Sequence, residues 1–185
     1  MSEPNFLSVD YGGIGFLINK AQFYSSCYLE KETRANSPIP YLNRIFDYGD
    51  EKILVFDMHE ALRELFSIEA GGKAELLLIT QLSKFSGSVK NVFGRIRGGK
   101  NNISRELIGL RLKSDARMTA LRIDKLRLLP ASVRGFLQRY GILACTFPGD
   151  GEVSYLIEVD NICKTFINAA LQEREGREHE HFTGR

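Results

Sequence analysis

The chain is 185 residues long and 43% hydrophobic, with 25 Lys and Arg against 23 Asp and Glu, giving a net charge of +2 and a pI near 8.4. This is an ordinary globular composition for one domain or two tightly packed subdomains, and the charge is too mild to demand a nucleic-acid or anionic-membrane partner. Cys27, Cys145 and Cys163 lack metal-ligand spacing and read as reduced thiols of a cytoplasmic compartment; no run approaches the roughly 20 apolar residues that cross a bilayer, and the Met-Ser-Glu-Pro start carries no signal-peptide pattern.

In chain order, Asn5-Phe-Leu-Ser-Val-Asp10 and Ile14-Gly-Phe-Leu-Ile18 around Tyr11-Gly12-Gly13 predict a hairpin. Phe23 to Leu29 is β-prone, and Glu30 to Pro40 carries two prolines that predict a surface loop. Ile53-Leu-Val-Phe56 is an apolar run ending in Asp57, an expected N-cap for a helix that places Ala61, Leu62, Leu65 and Phe66 on one face. Ala70-Gly-Gly-Lys73 breaks the chain before the apolar run Glu75 to Leu82. Residues 84–105 form a polar, Gly-rich basic insertion, read as a mobile loop or a loose hairpin.

A second hairpin is expected from Glu106 to Leu112 and Met118 to Leu129 around Lys113-Ser-Asp-Ala116, with Leu110-Arg-Leu112 and Leu121-Arg-Ile123 giving a half-exposed basic face. Pro130 to Tyr140 suits a short helix, Ile142 to Phe147 a strand, and Pro148-Gly-Asp-Gly151 a turn before the strand Ser154 to Asp160. A helix over Asn161 to Ala170 and a charged, fraying tail over 171–185 complete the chain. The sum is about ten strands with two or three short helices.

The chain also repeats an order of elements. Ile18 lies 39 positions before Asp57, and Ile123 lies 37 before Asp160; in each half a Pro-containing stretch precedes an apolar strand ending in Asp and a helix-like segment. That points to two similar small β units rather than one large sheet.

Gly15-Phe-Leu-Ile-Asn-Lys-Ala21, Leu54-Val-Phe-Asp-Met58 and Ala120-Leu-Arg-Ile-Asp-Lys-Leu126 resemble the strand patterns of the CheW-like domain, the bacterial chemotaxis coupling-protein family, over roughly residues 5–168. The resemblance implies a mainly β fold of two similar five-stranded SH3-like or OB-like barrels packed together in one domain over 1–170. Subdomain 1 would cover about 14–73 and subdomain 2 about 106–168, with strand exchange from 1–13. It implies a non-enzymatic adaptor in chemotaxis-type signal transduction, linking chemoreceptor cytoplasmic tips to a histidine kinase of the CheA type, without cofactor. Ala21, Phe23 and Tyr24 match the family's receptor face, and Gly49 stands where the family has an Arg. Phe23 and Tyr24 are adjacent in a strand and so point to opposite faces, one to the core and the other available to a partner; the alternative is that both are simply packed.

Candidate chemistry is sparse. His59 beside Glu60 fits an exposed or capping role, and His179 and His181 in the tail would bind metal only adventitiously, so no catalytic or metal residue is assigned. Gly94-Arg-Ile-Arg-Gly-Gly-Lys100 lacks the spacing and hydroxyl residue of a P-loop. Lys90, Arg95, Arg97 and Lys100 suit a charged docking loop; the alternatives are a solvated loop, or a nucleic-acid-binding β-barrel using these cations on phosphates with Phe93 stacking on a base.

Overall fold

The computed structural model describes residues 5–11, 13–29, 32–34, 37, 39–68, 75–98, 102–113, 115–147 and 152–183, the side chains of 32 and 175–183 excepted. Gly12, the break at 70–73, Lys100, the turn at 148–151 and the His179 and His181 side chains lie outside this description.

The strands β1 (Phe6–Asp10) and β2 (Ile14–Asn19) pair antiparallel in a hairpin. Its turn is held by the Gly13 N–H donating to Asp10 Oδ1 at 3.2 Å, with Gly13 at φ +97°, a conformation that side-chain-bearing residues avoid. A 3-10 turn over Lys20–Gln22 leads to β3 (Ser25–Tyr28) and β4 (Glu32–Arg34). Then β5 (Arg44–Tyr48) and β6 (Glu51–Asp57) form a hairpin closed by Gly49-Asp50. Asp57 caps α1 (Met58–Phe66), accepting from the Glu60 N–H at 3.2 Å.

Next come β7 (Glu75–Gln81), α2 (Gly87–Arg97), β8 (Ile103–Lys113), β9 (Ala116–Thr119), α3 (Ala131–Arg139), β10 (Ile142–Thr146), β11 (Val153–Ile157) and α4 (Val159–Thr183). The described residues are thus mainly β with four α-helices, the last of 25 residues, where two or three short ones were expected.

The strands form two sheets. One, here the terminal sheet because both ends of the chain build it, runs β10-β11-β2-β1-β9; the central sheet runs β3-β7-β8-β6-β5-β4. Leaving out β4, the two sheets have one plan. In each, an antiparallel pair (β10-β11, β5-β6) joins in parallel to a second antiparallel pair (β2-β1, β8-β7), which is flanked by an antiparallel edge strand (β9, β3). The duplication read from the sequence is present as topology. Its units interleave: the hairpin β1-β2 completes a sheet whose other strands lie some hundred residues later, and β8 stays in the central sheet.

Several sequence expectations change here. The two sheets do not follow the boundaries 14–73 and 106–168, because β2 joins the terminal sheet and residues 103–113 join the central one. The second hairpin does not form: β8 and β9 follow one another in sequence but lie in different sheets, because the edge of β1 takes β9. Residues 120–129 are a 3-10 turn over Ile123–Lys125 and a single bridge from Arg127 to Cys145 rather than strand.

The basic insertion is neither loop nor hairpin in its middle but the helix α2, inserted between the two strands of the β7-β8 pair. Val89, Val92, Phe93 and Arg97 are its buried face, spaced i, i+3, i+4 and i+8. The tail residues expected to fray continue α4 as far as Thr183.

The main core gathers Phe16, Ile18, Leu54, Phe56, Leu62, Leu78, Leu110, Ile162 and Phe166 among others, so both sheets and the helices share one apolar interior. A second, small cluster of Ile53, Val55, Leu77 and Ile79, all fully buried, lies on the opposite face of the central sheet.

Candidate interaction groove

Two surface depressions and one buried charge cluster stand out, and the first depression lies between the sheets. The 3-10 turn at Lys20–Gln22 follows β2 out of the terminal sheet toward β3 of the central sheet, and Asn19 fixes it by accepting the Ala21 N–H at 2.8 Å. Gln22 then ties both sheets together. Its Nε2 donates to the Ile157 carbonyl at 3.0 Å, its Oε1 accepts the Val159 N–H at 2.8 Å, and its own carbonyl accepts from Thr80 Oγ1 at 2.7 Å.

Asp160, in the first turn of α4, accepts both the Ser86 N–H at 2.9 Å and the Ser86 hydroxyl at 3.1 Å, which pins the start of α2 to the start of α4. Between these ties runs a groove of about 390 Å³ lined by Ala21, Gln22, Lys84, Phe85, Leu143 and Leu156 among others. Lys84 Nζ donates to the Ala21 carbonyl at 2.6 Å across it.

The second surface is a depression of about 580 Å³ lined by Tyr24, Tyr48, Asp50, Glu51, Gln81, Glu106 and Leu107. Tyr24 is 65% exposed, whereas its neighbour Phe23 packs against the main core. Gly49 sits at the turn between Tyr48 and Asp50 with φ +59° and nothing within 4 Å of where a Cβ would be. Backbone conformation, not lack of room, therefore disfavours a side chain such as Arg at that position.

So Ala21 and Tyr24 line two separate depressions, with Phe23 between them in the core. The cations of the insertion are dispersed on and beyond α2: Arg95 is exposed and Lys90 half-buried, but Arg97 is 9% exposed with no hydrogen-bond partner on Nε or Nη2, and its burial lowers its pKa. Phe93 is fully buried and cannot stack on a base. Arg97 and Phe93 therefore do not serve the docking or stacking roles that the sequence pattern suggested. A helical reading of Val89, Val92, Phe93 and Ile96 was available in the sequence.

The densest charge chemistry lies elsewhere, in the buried end of the central sheet. Arg111 Nη1 donates to both carboxylate oxygens of Asp57, at 3.1 and 3.0 Å, and Nη2 donates to Glu75 Oε1 at 2.6 Å, while Arg44 Nε lies 3.3 Å from Asp57 Oδ2. The Arg111 hydrogen bond holds the Glu75 carboxyl below its usual range. Arg111, read as exposed from the alternating pattern, is 6% exposed.

His59 is also buried, not exposed. It stacks on Tyr11 with ring centroids 5.7 Å apart, and desolvation lowers its pKa. None of the concavities described reaches these groups, and each carboxylate is already committed to a guanidinium. Among the described residues no group of three His, Cys, Asp or Glu could hold a metal ion, and no helix is long and apolar enough to cross a membrane.

No protein-family model matches the chain, and no curated protein matches it in sequence. Among solved structures, the crystal structure of the scaffolding protein TtCheW from Thermoanaerobacter tengcongensis superposes with a TM-score of 0.54, covering 85% of this chain and 90% of that one at 10% identity. The chain has a CheW-like fold. At that identity the likeness extends to the arrangement of strands and helices.

Proposed function

We propose that the chain is a divergent, non-enzymatic CheW-like adaptor of chemotaxis-type signalling, whose inter-sheet groove takes the cytoplasmic tip of a chemoreceptor while its sheets contact a histidine kinase of the CheA type. The observation that carries this reading is the groove itself. It lies between the two sheets of a fold shared with a scaffolding protein, and Ala21, at a position the CheW resemblance assigns to receptor contact, lines it. Gln22, Asp160 and Ser86 brace its walls, so the groove is formed before a partner arrives and little ordering cost falls on binding. Tyr24, exposed immediately before the edge strand β3, would be a second contact.

The test is calorimetric titration of the full chain with a purified receptor-tip fragment and, separately, with the regulatory domain of a CheA-type kinase from the same organism. Saturable binding of both, with the receptor fragment lost in Ala21→Glu and kinase binding kept, is expected. Binding of neither, with the chain folded by circular dichroism, would remove the reading.

A further inference from the structure

The outer flank of the terminal sheet is an apolar surface without cover. Among the described residues, nine large hydrophobic side chains are solvent-facing, and six of them fall between residues 123 and 147. They come from adjoining elements. The Arg127–Cys145 bridge, with hydrogen bonds of 2.7 and 3.0 Å, lays residues 123–130 along the free edge of β10, and α3 packs against the same strand.

Ile123 is 77% exposed, Leu128 75% and Phe147 65%. The helix α3 buries only Leu137 and turns Val133 and Phe136 outward, 40% and 55% exposed and three residues apart on one face. An apolar stripe directed away from the core on a nine-residue helix is a cost unless something packs on it.

The charges around it indicate the kind of partner. Residues 120–147 hold five Lys and Arg and one acidic residue, Asp124, so this segment is formally +4 in a chain of net +2. Arg122 is neutralised by Asp124, and Arg134 is spent on the Leu129 carbonyl. Lys125, Arg127 and Arg139 remain around the stripe with no ion pair among the described residues.

Three dispersed cations are fewer than the clusters of about four to eight that mark anionic-membrane surfaces. They suit the carboxylates that flank the apolar face of one helix. We propose that this flank, built on α3, residues 123–130 and β10, docks an acidic amphipathic helix of a partner protein. The surface is distinct from the inter-sheet groove, sharing only Leu143 with it.

The test uses the full chain and a fluorescein-labelled amphipathic helical peptide with leucine on one face and glutamate on its flanks, beside the same peptide with lysine for glutamate. Anisotropy is expected to show saturable, salt-weakened binding of the glutamate peptide only. Binding should fall at least ten-fold in Phe136→Asp, whose side chain is exposed enough to change without core loss. In Arg127→Glu/Arg139→Glu the preference should shift toward the lysine peptide, and Ala21→Glu, which tests the groove, should leave binding unchanged.

Equal binding of both peptides, or of neither, would overturn the proposal. So would capture on phosphatidylglycerol vesicles that the same variants abolish, which would assign the flank to a lipid surface, or a concentration-dependent dimer lost in Phe136→Asp, which would assign it to a second copy of this chain.

Discussion

In the central sheet Gly109 stands opposite Val55 on one side and Ile79 on the other; in the terminal sheet Gly15 stands opposite Ser154 and Asp10 in the same relation. With the registers aligned on these glycines, the four aliphatic residues Ile53, Val55, Leu77 and Ile79 correspond to Glu152, Ser154, Ser8 and Asp10. The first set is a dry, fully buried cluster, and the second lines an open concavity of about 630 Å³.

Two positions further on the character reverses. The ion pair Asp57–Arg111 of the central sheet corresponds to the apolar pair Leu156–Leu17 of the terminal sheet. One strand plan thus tolerates opposite fillings, because the faces turned to the shared main core, Leu54, Phe56 and Leu110 against Phe16, Ile18 and Ile157, are apolar in both. The shared core specifies the architecture, and each sheet's outer face is free to diverge.

The largest effect separating the two sheets should come from that ion pair. Arg111→Leu, which copies the terminal sheet, leaves Asp57 buried without its main partner and should cost about 4 kcal/mol in urea unfolding. The double variant Asp57→Leu/Arg111→Leu should recover most of this, short of about 1 kcal/mol for the lost cap on α1. A double variant as unstable as the single one would show that the pair stabilises on balance, contrary to this comparison.

Next in size are truncations of the two fillings. Leu77→Ala should cost about 3 kcal/mol, whereas Ser8→Ala at the corresponding place should stay within about 0.5 kcal/mol. Equal losses would mean that the terminal concavity is packed in solution.

The glycines sharpen the contrast further. A Cβ at Gly109 would lie 2.8 Å from Leu77 Cδ1 and 3.0 Å from Val55 Cγ2, inside a packed cluster, so Gly109→Ala should cost about 2 kcal/mol. A Cβ at Gly15 would meet chiefly Ser154 Oγ, at 2.3 Å, which can rotate toward the concavity. Gly15→Ala should therefore cost less than Gly109→Ala in the same assay.

The smallest effect concerns the joint between the sheets, where Tyr11 beyond β1 stacks on His59 of α1. His59 is depressed by burial, so its contribution is complete above its unfolded value of about 6.5 and is lost as pH falls through the lower folded value. Glu75, lowered by Arg111, adds a second loss at more acidic pH, below the ordinary carboxylate range. Melting temperature should thus decline from pH 7.5 downward, and His59→Phe should flatten the first part of the decline. A slope unchanged by that substitution would place the titration elsewhere.

Legibility in the sequence followed the range of the interactions. The β1-β2 hairpin and the strand-to-helix junction at Asp57 were readable because alternation, turn residues and an N-cap are local signals. The helix α2 was not, because Gly87, Gly94 and its cations obscured a sound apolar stripe. The assignment of β8 and β9 to different sheets was invisible, since it depends on β1, about a hundred residues away, competing for β9.

Arg111 was misread for the same reason: alternation with leucines describes a half-exposed strand until distant Asp57 and Glu75 supply its partners. Of the site, Ala21 and Tyr24 were singled out by resemblance. Gln22, Lys84 and Leu143 became visible only once the sheets were brought together.

The most direct test of the adaptor account is amide chemical-shift mapping of the full chain as a receptor-tip fragment is added. The account predicts that the perturbed amides concentrate at Ala21, Gln22, Lys84, Leu143 and Leu156, around the inter-sheet groove. Specific binding that left these amides unmoved and shifted another surface would contradict it.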